Sequence, residues 1–262
     1  MKFIHLSDTH LLPRSRTIIG IDACARLEAA VASIRTNFSD AAFCMVTGDL
    51  TDEGDAQSYQ EFRKILDQLP MPWYPLLGNH DIRSVARENL GDLPWHSGGF
   101  LQYEFETAVG QFIVLDSLVD MDTSYLNEDQ LNWLDERLDA AQQAGKDVYL
   151  FMHHVPFNIG IPWMDRLYQM DNGEDLATVL KRYNNIRHMF FGHVHRPIHG
   201  SWHGIPFSIV RSTAHQVALD LEDDKPKFIA EPPSYGIVLV EDNQVVIHDH
   251  SFLEENSSII QG

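Results

Sequence analysis

The chain has 262 residues, 44% of them hydrophobic and 22% charged, and a formal net charge of −19 at pH 7. That length suits one catalytic domain over residues 1–262 with a sizeable core, and the negative balance disfavours nucleic-acid polymers and anionic membrane surfaces as partners. No apolar run approaches the roughly 20 residues that span a bilayer, and Cys24 and Cys44 are too few for a disulfide framework.

In chain order, the N-terminal Met-Lys-Phe-Ile-His-Leu-Ser-Asp reaches polar residues too early for a secretory leader, so cytoplasmic residence with reduced, structural thiols is expected. Short apolar, β-branched runs at Phe3 to Leu6, Phe43 to Thr47, Trp73 to Leu77, Phe112 to Leu115, Val148 to Met152 and His188 to Phe191 read as buried strands. Helical spacing joins Leu27, Val31, Ile34 and Phe38, then Phe62, Ile65, Leu66 and Leu69, then Leu131, Leu134 and Leu138. Asn127 followed by Gln130 resembles a capping box ahead of the last helix. Further strands at Tyr103 to Glu106, Pro206 to Val210, Ile237 to Val240 and Val245 to His248 make the sheets mixed, the last two forming a C-terminal hairpin near 235–250. The pattern predicts an α/β sandwich of two mixed sheets flanked by helices. Two segments look irregular: 155–175, a lid-like insertion rich in aromatics, prolines and glycines, and 221–234, an acidic, proline-bearing surface excursion.

The predicted strands share one property: each carboxyl end delivers a metal-capable group. These are Asp8 and His10, then Asp49, then Asn79 and His80, then His153 and His154, then His193 and His195. In α/β sheets the strand carboxyl ends form the crevice where ligands bind, so groups distant in sequence converge there. Mixed carboxylate and imidazole donors suit Mn, Fe, Co, Ni or Zn, whereas thiolates would point to a closed zinc site. In Gly78-Asn79-His80-Asp81 the glycine permits a tight turn, the asparagine offers an amide oxygen, and Asp81 is placed to orient an imidazole.

Asp8-x-His10, Gly48-Asp49-x-x-Asp52, Gly78-Asn79-His80-Asp81, His153-His154 and Gly192-His193-x-His195 resemble the five signature blocks of the calcineurin-like metallophosphoesterases, over roughly residues 3 to 216. The resemblance implies a four-layer α/β/β/α fold and two divalent or trivalent transition-metal ions (Mn, Fe, Zn or Co). One would be held by Asp8, His10, Asp49 and His195, the other by Asp49, Asn79, His153 and His193, with Asp49 bridging. His153-His154-x-Pro156-Phe157, Ile161-Pro162-x-Met164-Asp165 and Thr213-Ala214-His215-Gln216-Val217 resemble the bacterial class III cyclic nucleotide phosphodiesterases and glycerophosphodiesterases more narrowly. That narrower likeness implies a homo-oligomer and an insertion after His154 that walls the pocket. Asp81, His154, Asp165 and His215 are the further candidates for orienting ligands or touching substrate.

Two metals about 3.5–4 Å apart share a hydroxide that attacks phosphorus in line while they bind a phosphoryl oxygen. By the resemblance His80, adjacent to Asn79, is the group that bonds a phosphate oxygen or protonates the leaving alkoxide. A monoester brings close to two negative charges and calls for cationic donors. Glu53 stands where protein phosphatases with related blocks carry an arginine, and Arg83 reads as a helix-surface residue, so a small phosphodiester is the expected substrate. Glycerophosphodiesters and cyclic nucleotides are equal readings, the segment Trp163, Met164, Asp165 and Tyr168 suiting either. A phosphomonoesterase is the alternative, and a non-catalytic scaffold of the same fold is disfavoured because no ligand is missing.

Overall fold

A computed structural model describes residues 1–253 of the chain. It begins with β1 (Lys2–Leu6), α1 (Ala23–Asn37), β2 (Cys44–Thr47), α2 (Ala56–Leu66), β3 (Trp73–Leu76) and α3 (Arg83–Asn89). There follow β4 (Tyr103–Thr107), β5 (Gly110–Val114), α4 (Glu128–Gln143), β6 (Val148–Phe151), α5 (Pro162–Leu167), α6 (Gly173–Leu180) and β7 (Ile186–Phe191). The remainder is β8 (Ile198–Trp202), β9 (Ile205–Ile209), β10 (Gln216–Val217), β11 (Phe228–Ile229), β12 (Ser234–Glu241) and β13 (Gln244–Ser251).

Two sheets form, ordered β13-β12-β1-β2-β3 and β4-β5-β6-β7-β9-β8, with β10-β11 as a separate two-stranded ladder. Strands β1, β2 and β3 are parallel, as are β5, β6, β7 and β9, while β12, β13, β4 and β8 run antiparallel to their neighbours. The expected pair of mixed sheets is therefore present.

Alternation along the strands explains the layering. In β6, Tyr149 and Phe151 join the core shared with the first sheet, whereas Val148 and Leu150 join a second core with Leu134 and Leu138 of α4. Between the sheets the contact is aromatic: the ring of Phe3 in β1 lies 5.7 Å from Phe112, 6.0 Å from Phe151 and 5.5 Å from Phe190. Helix α1 buries Leu27, Val31 and Ile34 against the first sheet's core. Helices thus cover the outer faces, completing four layers.

Local chemistry sets the helix starts. Asp22 and Asp55 cap α1 and α2 by accepting from Ala25 N and Ser58 N. The reciprocal box before α4 is present, with Gln130 N to Asn127 Oδ1 at 2.9 Å and Asn127 N to Gln130 Oε1 at 3.1 Å. Several elements carried no usable pattern: α3 buries only Ala86, and β8 is an edge strand whose central residues face solvent. Segment 155–175 contains α5 and the start of α6, and 221–234 contains β11. Both cysteines are free and buried. No helix among the described residues is long and apolar enough to cross a membrane.

Candidate metal centre

The loops leaving β1, β2, β3, β6 and β7 meet at one place. Asp8, His10, Asp49, His193 and His195 all have positive φ, from 44° to 71°, a conformation that costs an L residue roughly 1–2 kcal/mol. Backbone bonds between the loops hold it: Asp8 N donates to Gly48 O at 3.1 Å and His10 N to Asp49 O at 2.9 Å. Two more amides clamp the carboxylates, His193 N on Asp8 Oδ1 at 3.0 Å and His80 N on Asp49 Oδ1 at 2.9 Å. Glycine is required beside these groups. A Cβ on Gly48 would stand 2.4 Å from His153 Nδ1, and one on Gly78 would stand 2.2 Å from Asp49 Oδ1.

The side chains converge as two overlapping groups. Around one point lie Asp8, His10, Asp49 and His195, whose donor atoms fall within 4.8 Å of one another. His10 Nε2 is 3.0 Å from His195 Nε2 and 3.5 Å from Asp49 Oδ2, and His195 Nε2 is 3.3 Å from Asp8 Oδ1. Around the other, His153 Nε2 is 3.2 Å from Asn79 Oδ1, 3.2 Å from His193 Nδ1 and 3.4 Å from Asp49 Oδ2. Asp49 Oδ2 therefore belongs to both.

Hydrogen bonds on the far side of the rings decide what these atoms can bind. His195 Nδ1 donates to His215 O at 2.9 Å, and His10 Nδ1 donates to the Asp52 carboxylate at 2.9 Å. In the neutral rings the facing Nε2 atoms are then both lone pairs, 3.0 Å apart and flanked by carboxylates. Burial opposes ionisation of Asp8 and Asp49, yet the imidazoles around them, His195 and His153 foremost, hold both carboxyls below their ordinary value. A buried set of anions and lone pairs needs a cation among them. The same demand shows in His153, whose pKa rises to about 9: burial opposes this, but the charge of Asp49 and a bond to it prevail. His193, pushed down to about 3 mainly by burial, keeps a buried Nε2 with no partner among the described residues. This donor set fits a pair of borderline transition-metal ions.

Other residues singled out in the sequence take distinct places. His80 is the most exposed histidine of the cluster, with 31% of its side chain accessible, and its Nδ1 donates to Asp52 O at 2.8 Å. Burial lowers its pKa, but the surrounding carboxylates, Asp49 first, and the Asp52 carbonyl raise it overall. His154 is buried, bonded through Nδ1 to Ser117 Oγ at 2.8 Å, with its ring 4.9 Å from that of His193. His215 lies 4.4 Å ring to ring from His195.

Three expectations are corrected. Among the described residues Asp81 orients no imidazole; it accepts from Gly78 N at 2.9 Å, Leu50 N at 3.1 Å and the Tyr59 hydroxyl at 2.9 Å, tying the loops after β2 and β3 together. The carboxylate that does orient an imidazole is Asp52, visible in the sequence as the second acid of Gly48-Asp49-x-x-Asp52. Asp165 accepts from Ile159 N at 2.8 Å and Gly160 N at 2.9 Å, shaping the loop before α5 and not the cleft over the metal-capable side chains. Arg83 is no free surface residue: its guanidinium makes two 3.0 Å bonds to the buried Asp116 carboxylate.

Above the cluster lies a cleft of about 490 Å³. Metal-capable groups form its floor, Trp163, Met164 and Tyr168 one wall, and Val217, Pro226 and Phe228 another, with Ile18 and Ile19 at the rim. Neither lysine nor arginine is among these residues.

Comparison with known proteins agrees with this geometry. Residues 1–197 match the family model of calcineurin-like phosphoesterases. A probable cyclic nucleotide phosphodiesterase of Rhodopseudomonas palustris is 38% identical over 258 residues, covering 97% of this chain and 93% of that protein. A probable glycerophosphodiester phosphodiesterase of Arcobacter nitrofigilis is 32% identical, covering 89% of this chain and 86% of that protein. In fold, the chain matches a dimetal phosphatase from Danio rerio with a TM-score of 0.76 at 14% identity, over 97% of each chain. The chain belongs to the calcineurin-like phosphoesterase family, in the branch that holds these bacterial phosphodiesterases.

Proposed function

We propose that the protein is a dinuclear metal-dependent phosphodiesterase that hydrolyses small diesters. The observation that carries this reading is a buried cluster of carboxylates and imidazoles beneath a cleft with no lysine or arginine. Asp8, His10, Asp49 and His195 would hold one ion and Asp49, Asn79, His153 and His193 the other. Such a pair would lower the pKa of a bound water and polarise a phosphoryl oxygen.

The chain's own residues do the rest. Asp52, Thr47 O and His215 O take the far-side N–H of His10, His153 and His195, so that each ring, when neutral, presents a lone pair inward. His80, anchored through Nδ1, carries its Nε2 proton toward a phosphate oxygen or the leaving alkoxide. A cleft without fixed cations suits the single negative charge of a diester better than the nearly doubled charge of a monoester. The free thiols of Cys24 and Cys44 support a reducing, cytoplasmic compartment. For the homo-oligomer implied by the family, the outer edge of β13 is the strand surface on which copies would pair.

The deciding experiment compares manganese-reconstituted protein on cyclic AMP, glycerophosphoethanolamine, bis(p-nitrophenyl) phosphate and p-nitrophenyl phosphate. Faster turnover of at least one diester than of the monoester is expected. A monoester that outruns all three diesters overturns the proposal.

A further inference from the structure

Phe228 keeps 50% of its surface exposed although it forms part of the cleft wall. Leaving so large an apolar ring in water forgoes a substantial fraction of the roughly 1.5–3 kcal/mol that its burial would give. Its position is nevertheless fixed. Strand β11 pairs with β10 so that Phe228 stands opposite Val217, and Ala218 N bonds Lys227 O at 2.9 Å. Strand β10 follows directly on His215, and Arg196 holds it by donating to Val217 O at 3.0 Å. The ring is thereby set 5.3 Å from the ring of His215, itself 4.4 Å from that of His195.

The opposite wall is also aromatic. Tyr168 lies with its ring 5.5 Å from that of His193, beside the other half of the metal cluster. Outside the metal cluster and its acidic and histidine neighbours, the lining is apolar except for the Tyr168 hydroxyl and the Trp163 indole N–H. A glycerol group lodged there would lose water from its hydroxyls and gain few partners. A planar aromatic group would gain a face on which to stack.

We infer that Phe228 is a specificity-determining platform that stacks the planar aromatic part of the diester, a nucleobase or comparable ring, and so favours nucleoside diesters over glycerol diesters. This rests on the phosphodiesterase reading above. The test uses the full manganese-reconstituted chain and the variants Phe228→Ala, Phe228→Leu and Phe228→Tyr, with kcat and KM measured for cyclic AMP and glycerophosphoethanolamine. Removing the aromatic face with alanine or leucine is expected to raise KM for cyclic AMP about five- to tenfold with little change in kcat, while tyrosine preserves it. KM for glycerophosphoethanolamine stays unchanged in all three variants. An equal rise for both substrates, or none for cyclic AMP, overturns the platform. Equilibrium dialysis with AMP separates this from the activity itself. If the wild-type chain turns over neither diester but Phe228→Ala still weakens AMP binding, the diesterase reading fails and the platform stands. AMP binding that is the same in wild type and Phe228→Ala removes the platform whatever the activity.

Discussion

The Asp52 carboxylate lies 2.9 Å from His10 Nδ1 and so fixes which nitrogen of that ring carries the proton. The same residue's carbonyl accepts His80 Nδ1 at 2.8 Å. Orienting carboxylates of this kind sharpen a histidine's basicity toward a metal, and their loss typically lowers affinity about 10- to 100-fold. Asp52→Ala is expected to weaken manganese binding by that factor in calorimetric titration. Asp52→Asn, which keeps an acceptor oxygen, should lose less. Equal affinity in wild type and the alanine variant would show that His10 needs no such partner.

His80 differs from its neighbours in being bonded on one side and accessible on the other. A group that delivers a proton without holding metal separates binding from turnover. His80→Ala should keep the wild-type metal content by mass spectrometry and lose roughly 10²- to 10⁴-fold in kcat, the usual contribution of a positioned acid. Metal loss in parallel with activity would place His80 among the ligands instead.

Gly48 sits at φ 84°, and a Cβ there would meet His153 Nδ1 at 2.4 Å and Gly78 N at 2.8 Å. Left-handed strain and overpacking then act together on one loop. Gly48→Ala is expected to cost about 2–5 kcal/mol in urea unfolding and to displace His153, so metal binding falls as well. A variant that unfolds like wild type would mean the loop yields without disturbing the site.

What was legible in the sequence follows the same physics. The strands could be read because buried runs such as Val148–Phe151 are continuous and apolar, and Asp8, Asp49 and His193 could be read because they follow such runs at fixed distance. The arm carrying Phe228 could not: β11 is two residues long and gets its place from Val217 and Gln216, a pairing that no local pattern announces. Asp52 and Asp81 show the limit inside the site. Each is an acid three or two residues after a metal candidate, and the reach of the backbone decides which meets an imidazole and which is consumed by amides. Arg83 likewise looked like a surface residue because its partner, Asp116, lies 33 positions away.

That partnership carries its own consequence. Asp116 is fully buried, and besides Arg83 it accepts from Leu101 N at 2.8 Å and Leu118 N at 3.2 Å. Removing the cation leaves a charge stranded in the interior, which costs about 3 kcal/mol or more. Arg83→Ala should therefore lower the urea midpoint markedly. Because the guanidinium is engaged away from the cleft, KM of the folded fraction should stay at its wild-type value. A rise in KM without a loss of stability would mean that Arg83 reaches the phosphate.

Acid sensitivity is expected from a histidine remote from the proposed metal ligands. His188 in β7 bonds through Nε2 to Ser208 Oγ at 3.0 Å, with the ring of Phe190 4.5 Å away. Burial, with a smaller contribution from nearby His199, pulls its pKa down to about 4. The unfolded chain, where the value is near 6.5, then binds more protons than the native chain between those limits. The sign follows: the contribution to stability is fully present above pH 6.5 and is lost as pH falls toward 4. Between pH 7 and pH 5 the loss amounts to about 2 kcal/mol. Urea unfolding at the two pH values should show it, and His188→Gln, which keeps a donor for Ser208 and cannot titrate, should flatten the difference by the same amount. His5, held down to about 3 chiefly by burial and in smaller part by His188 itself, acts in the same direction in both proteins. An unaltered pH dependence in the glutamine variant would show that His188 takes up its proton as readily in the native chain as in the unfolded one.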